Sequence, residues 1–209
     1  TRNGNGSSYD IIMPKFKKVA ESRNQNNYYV RGTFTHNNLD FANDVLHLAD
    51  EGFEQISVEP VVAQPTDDYA IREEDIPFIC EQYDKLAREL VKRKKAGNGF
   101  NFFHFMIDLQ QGPCAIKRLR GCGCGNEYVA VTPDGDIYPC HQFADKPEFY
   151  MGNVFEGKIN EEIRAKFKNS SLFTREGCED CFARYHCSGG CAANNYIFNG
   201  DINKPFKQT

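Results

Sequence analysis

Four thiols at the spacing C-x2-C-x5-C-x3-C lie in the segment Cys178-Glu179-Asp180-Cys181-Phe182-Ala183-Arg184-Tyr185-His186-Cys187-Ser188-Gly189-Gly190-Cys191. Cysteines separated by two residues can share a metal in one turn, and the two glycines let the backbone approach inorganic atoms closely because they have no Cβ. Thiolates gathered in this way bind zinc or iron–sulfur clusters. A pair of disulfides is the main alternative without a metal, but it requires an oxidising compartment that nothing in the sequence indicates. The segment therefore predicts a metal site.

The distribution of cysteines divides the chain into two unlike halves. Eight of the nine cysteines among the 209 residues follow residue 113. An odd number does not suit a closed disulfide framework, so thiols bound to metal in a reducing cytoplasm fit better. The nine are Cys80, Cys114, Cys122, Cys124, Cys140, Cys178, Cys181, Cys187 and Cys191.

Charge and composition argue against two classes of partner. The net charge is -4 and the pI is about 5.8, which gives no electrostatic footprint for nucleic acid or for an anionic membrane. No apolar run in the sequence approaches the length of a membrane span, and none has the pattern of a secretory h-region. The chain begins at Thr1 without an initiator Met and ends at Thr209 without an obvious terminal element, so we interpret it as a fragment of a longer protein.

The first half of the chain alternates helix and strand patterns. Helix patterns cover residues 10–21, 38–52 and 74–96, and strand patterns cover residues 28–35, 55–62 and 100–107. Strands separated by helices of these lengths indicate parallel βα units. Three strands are too few for a closed barrel, so the missing strands would lie upstream of Thr1.

The strands of this half place polar side chains on one face. Arg31, Thr33 and Thr35 share a face of the first strand, and Ser57 and Glu59 share a face of the second. A parallel strand that is buried on both sides should be nearly all apolar, so this pattern indicates a cavity that binds a polar ligand, as inside a barrel. The alternative is a structural ion pair between Arg31 and Glu59.

Three other chemically reactive residues in this half receive ordinary interpretations. We interpret His36 and His104 as polar residues of the fold rather than as ligands. Cys80 lies beside Ile79 on the third helix, away from the other thiols, and we predict that it is a buried apolar cysteine.

The second half begins near Gln110-Gln111-Gly112-Pro113 and contains a hairpin pattern. The strand-like runs 128–132 and 136–139 flank Pro133-Asp134-Gly135, in which proline enters the turn and glycine takes the position that needs positive φ. The hairpin would bring Cys140 back beside Cys122 and Cys124. Further on, Asn160 is placed to cap a short helix that turns Ile163 and Phe167 inward.

The cysteine spacing resembles that of a known domain. Cys124-x10-Gly135-x4-Cys140, followed by the four thiols of the opening segment, resembles the SPASM domain of radical S-adenosylmethionine (SAM) peptide-modifying enzymes. That signature is C-x(9–15)-G-x4-C, then C-x2-C-x5-C-x3-C, then one later cysteine. Cys122 also satisfies the first interval. The later cysteine is absent here, as is the C-x3-C-x2-C motif that these enzymes carry near the start of their barrel.

The strings around Gln111-Gly112-Pro113-Cys114 and residues 127–143 look closest to the maturases of SCIFF peptides, precursors with six cysteines in forty-five residues. Residues 30–35 and 57–60 look like the later barrel strands of that branch. The resemblance implies the C-terminal part of a partial (β/α)6 radical SAM barrel at residues 1–108. A small α+β SPASM domain with a β-hairpin and short helices would follow at residues 109–209, without its last cysteine.

The resemblance also implies a reaction. In the intact enzyme, a cluster in the missing part of the barrel would cleave SAM to a 5′-deoxyadenosyl radical, and a cysteine sulfur of a Cys-rich precursor peptide would form a thioether link. Two auxiliary 4Fe-4S clusters in the SPASM domain could accept the remaining electron, and a flavodoxin or ferredoxin would supply electrons. Cysteine-ligated clusters suit this role because their surroundings set their potential over a wide range. The chain by itself is expected to be inactive, and no catalytic residue is indicated.

Ligand roles follow from the same resemblance. We expect Arg31 to contact the carboxylate of SAM and Glu59 to line the barrel cavity, since guanidinium and carboxylate pair in a favourable geometry. The second cluster would use Cys178, Cys181 and Cys187 with the absent cysteine. The first cluster would use Cys122 or Cys124, together with Cys114, Cys140 and Cys191.

Two alternatives stay open. A zinc-binding interaction module would hold one ion at residues 178–191 and a second at Cys114, Cys122, Cys124 and Cys140. The x5 and x3 gaps and the paired glycines suit a bulkier cluster better. Within the radical enzymes, the alternative is a sulfatase-maturating or quinone-cofactor peptide-modifying enzyme, and the nature of the precursor peptide discriminates between them.

Overall fold

The computed structural model describes residues 7–23, 27–107, 119–144 and 146–206. The chain divides into two compact units. Unit 1 comprises residues 1–61 and 68–106, and unit 2 comprises residues 62–67 and 107–209. Cys114 lies outside the described residues.

Unit 1 alternates helices with the strands of a parallel sheet. Its elements are α1 (Tyr9–Ser22), β1 (Val30–Phe34), α2 (Phe41–Asp50), β2 (Gln55–Pro60), α3 (Ile76–Lys95) and β3 (Asn101–Phe102). The sheet order is β1-β2-β3, and both pairings are parallel. The predicted βα units are therefore present.

The third strand is shorter than the pattern at residues 100–107 predicts. Only Asn101 and Phe102 pair with β2, and the chain then forms a tight turn at Phe103–Phe105. A continuing strand would place residue 104 on the same face as Phe102. The turn instead lets His104 reach polar partners, with hydrogen bonds to Tyr83 and Glu59.

The two faces of this sheet differ in polarity. One face packs against α2 and α3 through fully buried apolar side chains, with Phe34 on β1, Ile56 on β2 and Phe102 on β3. The opposite face carries polar residues in register, because Arg31 pairs with Ser57 and Thr33 with Glu59. The apolar face stabilises the unit by burial, and the polar face is left for other contacts.

In the residues that the structure describes, unit 2 contains a small antiparallel sheet and three α-helices. Its elements are β4 (Ala130–Val131), β5 (Asp136–Tyr138), β6 (Gly152–Asn153), α4 (Glu161–Asn169), α5 (Arg184–Cys187) and α6 (Ala192–Asn199). The predicted hairpin joins β4 to β5 through a turn in which Gly135 has a φ of +87°. Asn160 caps α4 as predicted, since its side chain accepts hydrogen bonds from the backbone of Glu162 and Ile163.

The core of unit 2 brings thiols and aromatic rings together. Phe143, Phe149 and Phe167 pack edge to face or tilted against one another, and Cys124 and Cys140 belong to the same buried cluster. Within the described residues, no helix is long and apolar enough to cross a membrane.

Candidate metal centre

Four thiols come together around the end of the hairpin. We call Cys122, Cys124, Cys140 and Cys191 the first thiol group. Charge on Cys122, Cys140 or Cys191 affects the pKa of Cys124. Charge on Cys191 or Cys122 likewise affects the pKa of Cys140. Cys124 and Cys140 are buried, and Cys191 packs against the same core. The fold therefore brings Cys140 back beside Cys122 and Cys124, as the hairpin pattern predicts.

Backbone hydrogen bonds fix the loop that carries two of these thiols. The Gly125 amide donates to the carbonyl oxygens of Tyr128 at 2.9 Å and Pro139 at 3.0 Å, which ties the loop to the strand end beside Cys140. Gly123 and Gly125 flank Cys124 with φ values of +75° and +74°. An L side chain is strained in this left-handed conformation, so the loop requires glycine at both positions.

Three thiols form a separate set, which we call the second thiol group: Cys178, Cys181 and Cys187. Cys187 and Cys181 both act electrostatically on Cys178, and the Cys181 amide donates to the Cys178 carbonyl at 3.3 Å in a tight turn. All three line a cavity of about 670 Å³. Phe198 and Phe206 close part of its wall, and Lys204 contributes a cation.

A sharp turn separates the two thiol groups along the chain. Cys187 ends α5 and Cys191 precedes α6, while Ser188, Gly189 and Gly190 between them all have positive φ, at 60°, 78° and 74°. The three left-handed residues reverse the chain, so thiols only four positions apart lie in different groups. The grouping of Cys191 with Cys140 is the arrangement that the resemblance implies, and ligation by either group stays a prediction.

The thiols differ in acidity because their surroundings differ. A hydrogen bond from the Cys124 thiol lowers the pKa of Cys122 to about 5. The Tyr128 hydroxyl also donates to the Cys122 sulfur, at 3.8 Å. The same Cys122–Cys124 bond, with burial, raises the pKa of Cys124. Burial likewise raises the pKa of Cys140 and Cys178. The lowered pKa of Cys122 favours its thiolate, which is the form that binds metals.

The donor set fits an iron–sulfur cluster. Every predicted ligand that the structure describes is a thiol, and cysteine thiolates are the usual ligands of such clusters. The buried Ser188 hydroxyl next to Cys187 has no hydrogen-bond partner within the described residues, and a sulfur atom could accept from it. Within the part of the chain described, no three His, Cys, Asp or Glu side chains converge closely enough for one metal ion.

The prediction that Cys80 is a buried apolar cysteine is wrong. It is exposed on the surface of α3, rather than buried. The inward face of that helix is occupied by Ile79, Leu86 and Gln82, and residue 80 lies outside this stripe. Cys80 takes no part in either thiol group.

The polar face of unit 1 holds a hydrogen-bonded network around Glu59. Ser57 Oγ donates to Glu59 Oε1 at 2.5 Å, His104 Nε2 lies 2.6 Å from Glu59 Oε2, and the Tyr83 hydroxyl lies 2.7 Å from His104 Nδ1. Burial opposes ionisation of Glu59, but the bonds from His104 and Ser57 outweigh it and lower the pKa of Glu59. Glu59 is therefore a carboxylate held in one orientation.

This network bears on two sequence-based interpretations. The alternative of a direct Arg31–Glu59 ion pair is wrong, because His104 is the partner of Glu59 and the exposed Arg31 makes no ion pair within the described residues. The contacts of His104 agree with its interpretation as a polar residue of the fold. The sequence gives no signal of these contacts, because both partners of His104 are distant from it along the chain.

Comparison with known proteins agrees with the geometry of unit 2. Residues 122–182 match the family model of the SPASM domain. That model is described as an iron–sulfur cluster-binding domain, and the match begins at Cys122 and includes Cys124, Cys140, Cys178 and Cys181. The match covers less than a third of the chain, so it describes this segment only.

Solved structures resemble a larger part of the chain. Polyhistidine-tagged anSMEcpe with bound AdoMet is 17% identical, with a TM-score of 0.62 over 85% of this chain and 48% of that one. Native anSMEcpe with bound AdoMet and the Kp18Cys peptide is 17% identical, with a TM-score of 0.57 over 79% of this chain and 48% of that one. The chain thus spans about half the length of these proteins. The similarity establishes the fold and confirms the predicted class, the C-terminal part of a partial barrel followed by a Cys-rich α+β domain.

Proposed function

We propose that this chain is part of a radical SAM peptide-modifying enzyme, with residues 1–108 from its barrel and residues 109–209 as its SPASM domain. The observation that carries the proposal is the division of seven thiols into two groups within a fold that also occurs in an AdoMet-bound protein. One auxiliary 4Fe-4S cluster would be held by Cys114, Cys140 and Cys191 together with either Cys122 or Cys124. The second group, with one further ligand, would hold another.

Bound clusters of this kind supply one-electron transfer, and the chain's own residues prepare their sites. The lowered pKa of Cys122 favours the thiolate form that binds iron. The aromatic core shields Cys124 and Cys140 of the first group from water. The cavity beside Cys178, Cys181 and Cys187 leaves room for a cluster at the second group.

In unit 1, the polar sheet face would bind SAM. Arg31 is exposed and makes no direct ion pair within the described residues, and its charge acts on Glu59 from a greater distance, so its guanidinium can bind a carboxylate. Glu59 presents a fixed negative charge on the neighbouring strand, suited to a cationic or hydrogen-bond-donating group of a ligand.

The intact enzyme would form thioether links in a Cys-rich precursor peptide, in the cytoplasm, with a flavodoxin or ferredoxin as electron donor. A peptide partner is supported by the anSMEcpe structures, which contain the Kp18Cys and Cp18Cys peptides. The sulfatase-maturating or quinone-cofactor alternative is tested with the same full-length enzyme: a Cys-rich precursor that loses hydrogen and gains a thioether supports the proposal, and modification of a sulfatase peptide alone overturns it.

Metal content tests the cluster assignment directly. Iron, acid-labile sulfide and zinc are measured per chain after anaerobic reconstitution. About eight irons with matching sulfide are expected for two four-iron clusters. Cys140→Ser and Cys181→Ser should each remove about half of the iron, whereas Cys80→Ser, a thiol outside both groups, should remove none. About two zinc ions per chain without sulfide would instead indicate the structural zinc module.

A further inference from the structure

Arg175 is a buried cation that has no acidic partner in the part of the chain that the structure describes. Its side chain is 5% exposed. Nη1 donates to the carbonyl oxygens of Ser188 at 2.8 Å and Gly190 at 3.1 Å, and Nε donates to Ser170 Oγ at 3.2 Å. Among the described residues, no carboxylate lies within ion-pair distance of it. Burying a charge without a counter-charge is expensive, so this arginine requires an explanation.

Two of the three hydrogen bonds of Arg175 end on the turn that joins the two thiol groups. Ser188 and Gly190 lie between Cys187 of the second group and Cys191 of the first. Ser188 is the one non-glycine residue with positive φ in the part of the chain described, and its carbonyl accepts the shortest of the three bonds. The guanidinium therefore holds a strained turn at the junction of the groups.

Close packing fixes the arginine against this turn. A Cβ on Gly189 would stand 2.5 Å from Arg175 Cδ and 2.8 Å from its Nη1, so only glycine admits the side chain there. Gly121, next to Cys122, faces the same turn, since a Cβ on it would lie 3.6 Å from Ser188 Cβ. The backbone of Arg175 also accepts a hydrogen bond from the Cys178 amide at 3.2 Å.

Thiols of both groups surround Arg175 electrostatically. Burial lowers the pKa of Arg175, and negative charge at Cys124, Cys178, Cys122 and Cys187 acts against this effect. These cysteines come from both groups. A cluster with four thiolate ligands carries net negative charge, so each occupied site would oppose the desolvation cost of the guanidinium.

We propose that Arg175 is a positioning and charge-balancing residue shared by the two thiol groups, which holds the 188–190 turn and raises the reduction potential of the clusters beside it. The proposal rests on the proposed function. A nearby cation favours the reduced state of a cluster because reduction adds negative charge. The potential of a buried cluster depends on such charges and on hydrogen bonds near its sulfurs.

The test compares Arg175→Met, Arg175→Lys and the control Arg164→Met in anaerobically reconstituted protein. Arg164 is a half-exposed residue of α4 that pairs with Glu161 at 3.2 Å, so its loss removes the same charge where solvent screens it. Iron and sulfide are measured first, and midpoint potentials are then measured by redox titration with electron paramagnetic resonance. At a fixed solution potential, Arg175→Met should lower the ratio of reduced to oxidised cluster roughly tenfold. This corresponds to a decrease of about 59 mV in the midpoint potential of a one-electron couple. Arg175→Lys and Arg164→Met should change it much less.

The Met and Lys variants distinguish a role of the charge at residue 175 from a role of the side-chain shape. Cluster uptake by the Lys variant but not by the Met variant would also support the proposal, because the cation would then be needed for assembly. Equal potentials in the wild type and Arg175→Met would overturn it. So would an equal effect of Met and Lys, on the potential or on uptake, because shape rather than charge would then matter. Zinc without sulfide in the wild type is a failure of the proposed function, and it is seen before any variant is measured.

Discussion

His104 Nε2 lies 2.6 Å from Glu59 Oε2, which joins the turn after β3 to the polar face of β2. One tautomer satisfies both ring contacts, with Nε2–H donating to the carboxylate and Nδ1 accepting from the Tyr83 hydroxyl. The ring thus links the sheet face to α3, where Tyr83 also packs edge to face on Phe41. Glu59 is thereby held without a direct ion pair to Arg31.

The Glu59 contacts predict a pH-dependent stability. Because the pKa of Glu59 is below its ordinary value of 4.5, its stabilisation is present above that pH and is lost as pH falls through the lower, folded-state pKa. Glu59→Gln should therefore reduce the free energy of unfolding by about 1 kcal/mol at pH 7, since the group is partly exposed. Urea denaturation at neutral and acidic pH should show this difference shrinking in acid. Glu81→Gln, at an exposed position of α3, is the control, and a difference that grows as pH falls would contradict the prediction.

Gly125 should be intolerant of a side chain. It has a φ of +74°, and an added Cβ would lie 2.7 Å from Cγ of the buried Phe167. Gly125→Ala should cost about 2–4 kcal/mol, from strain in the left-handed conformation and from overpacking. It should also reduce iron uptake, because the loop carries Cys124. Gly157→Ala, with a φ of +64° and open space around it, should cost only about 1–2 kcal/mol. Similar losses in the two variants would show that packing at Gly125 is unimportant.

Asn195 should organise the region beside the second thiol group. It is fully buried, its Nδ2 donates to the carbonyls of Gly189 and Ile202, and its Oδ1 accepts from the Phe206 amide. Asn195→Ala should cost more than about 2 kcal/mol, since buried backbone groups lose their partners. Hydrogen exchange of the Phe206 amide should also become faster. Asn199→Ala, an exposed position on the same helix, should cost less than about 1 kcal/mol. Unchanged exchange at Phe206 would count against this role.

Thiol accessibility should depend on the clusters. Cys80 is exposed outside both groups and should react with a maleimide in cluster-loaded and cluster-free protein alike. Cys122 and Cys187 are also exposed in the structure, but iron would protect them, so they should react only after a chelator removes the metal. Peptide mass mapping checks this, with Cys80→Ser as the control for the constant signal. Equal labelling of Cys187 before and after chelation would contradict its role as a ligand.

Local interactions explain the parts that sequence predicted well. The Pro133-Asp134-Gly135 turn requires only one residue with positive φ, and the Asn160 cap requires only its own next turn of helix. The C-x2-C pair lies in one tight turn for the same reason. Each depends on a few consecutive residues, so the order of residues is sufficient to specify it. The parallel βα units followed from hydrophobic periodicity in the same way.

Sequence by itself determined the two kinds of fold in this chain, the alternating parity of the polar sheet face, and the cysteines that could bind metal. Only the tertiary structure exposed Cys80, paired Glu59 with His104, and buried Arg175 against the Ser188 turn. These relationships join residues that are distant in the chain, or they depend on a reversal of the chain within a few residues. They depend on which elements pack together, and no local pattern of residue types encodes that packing.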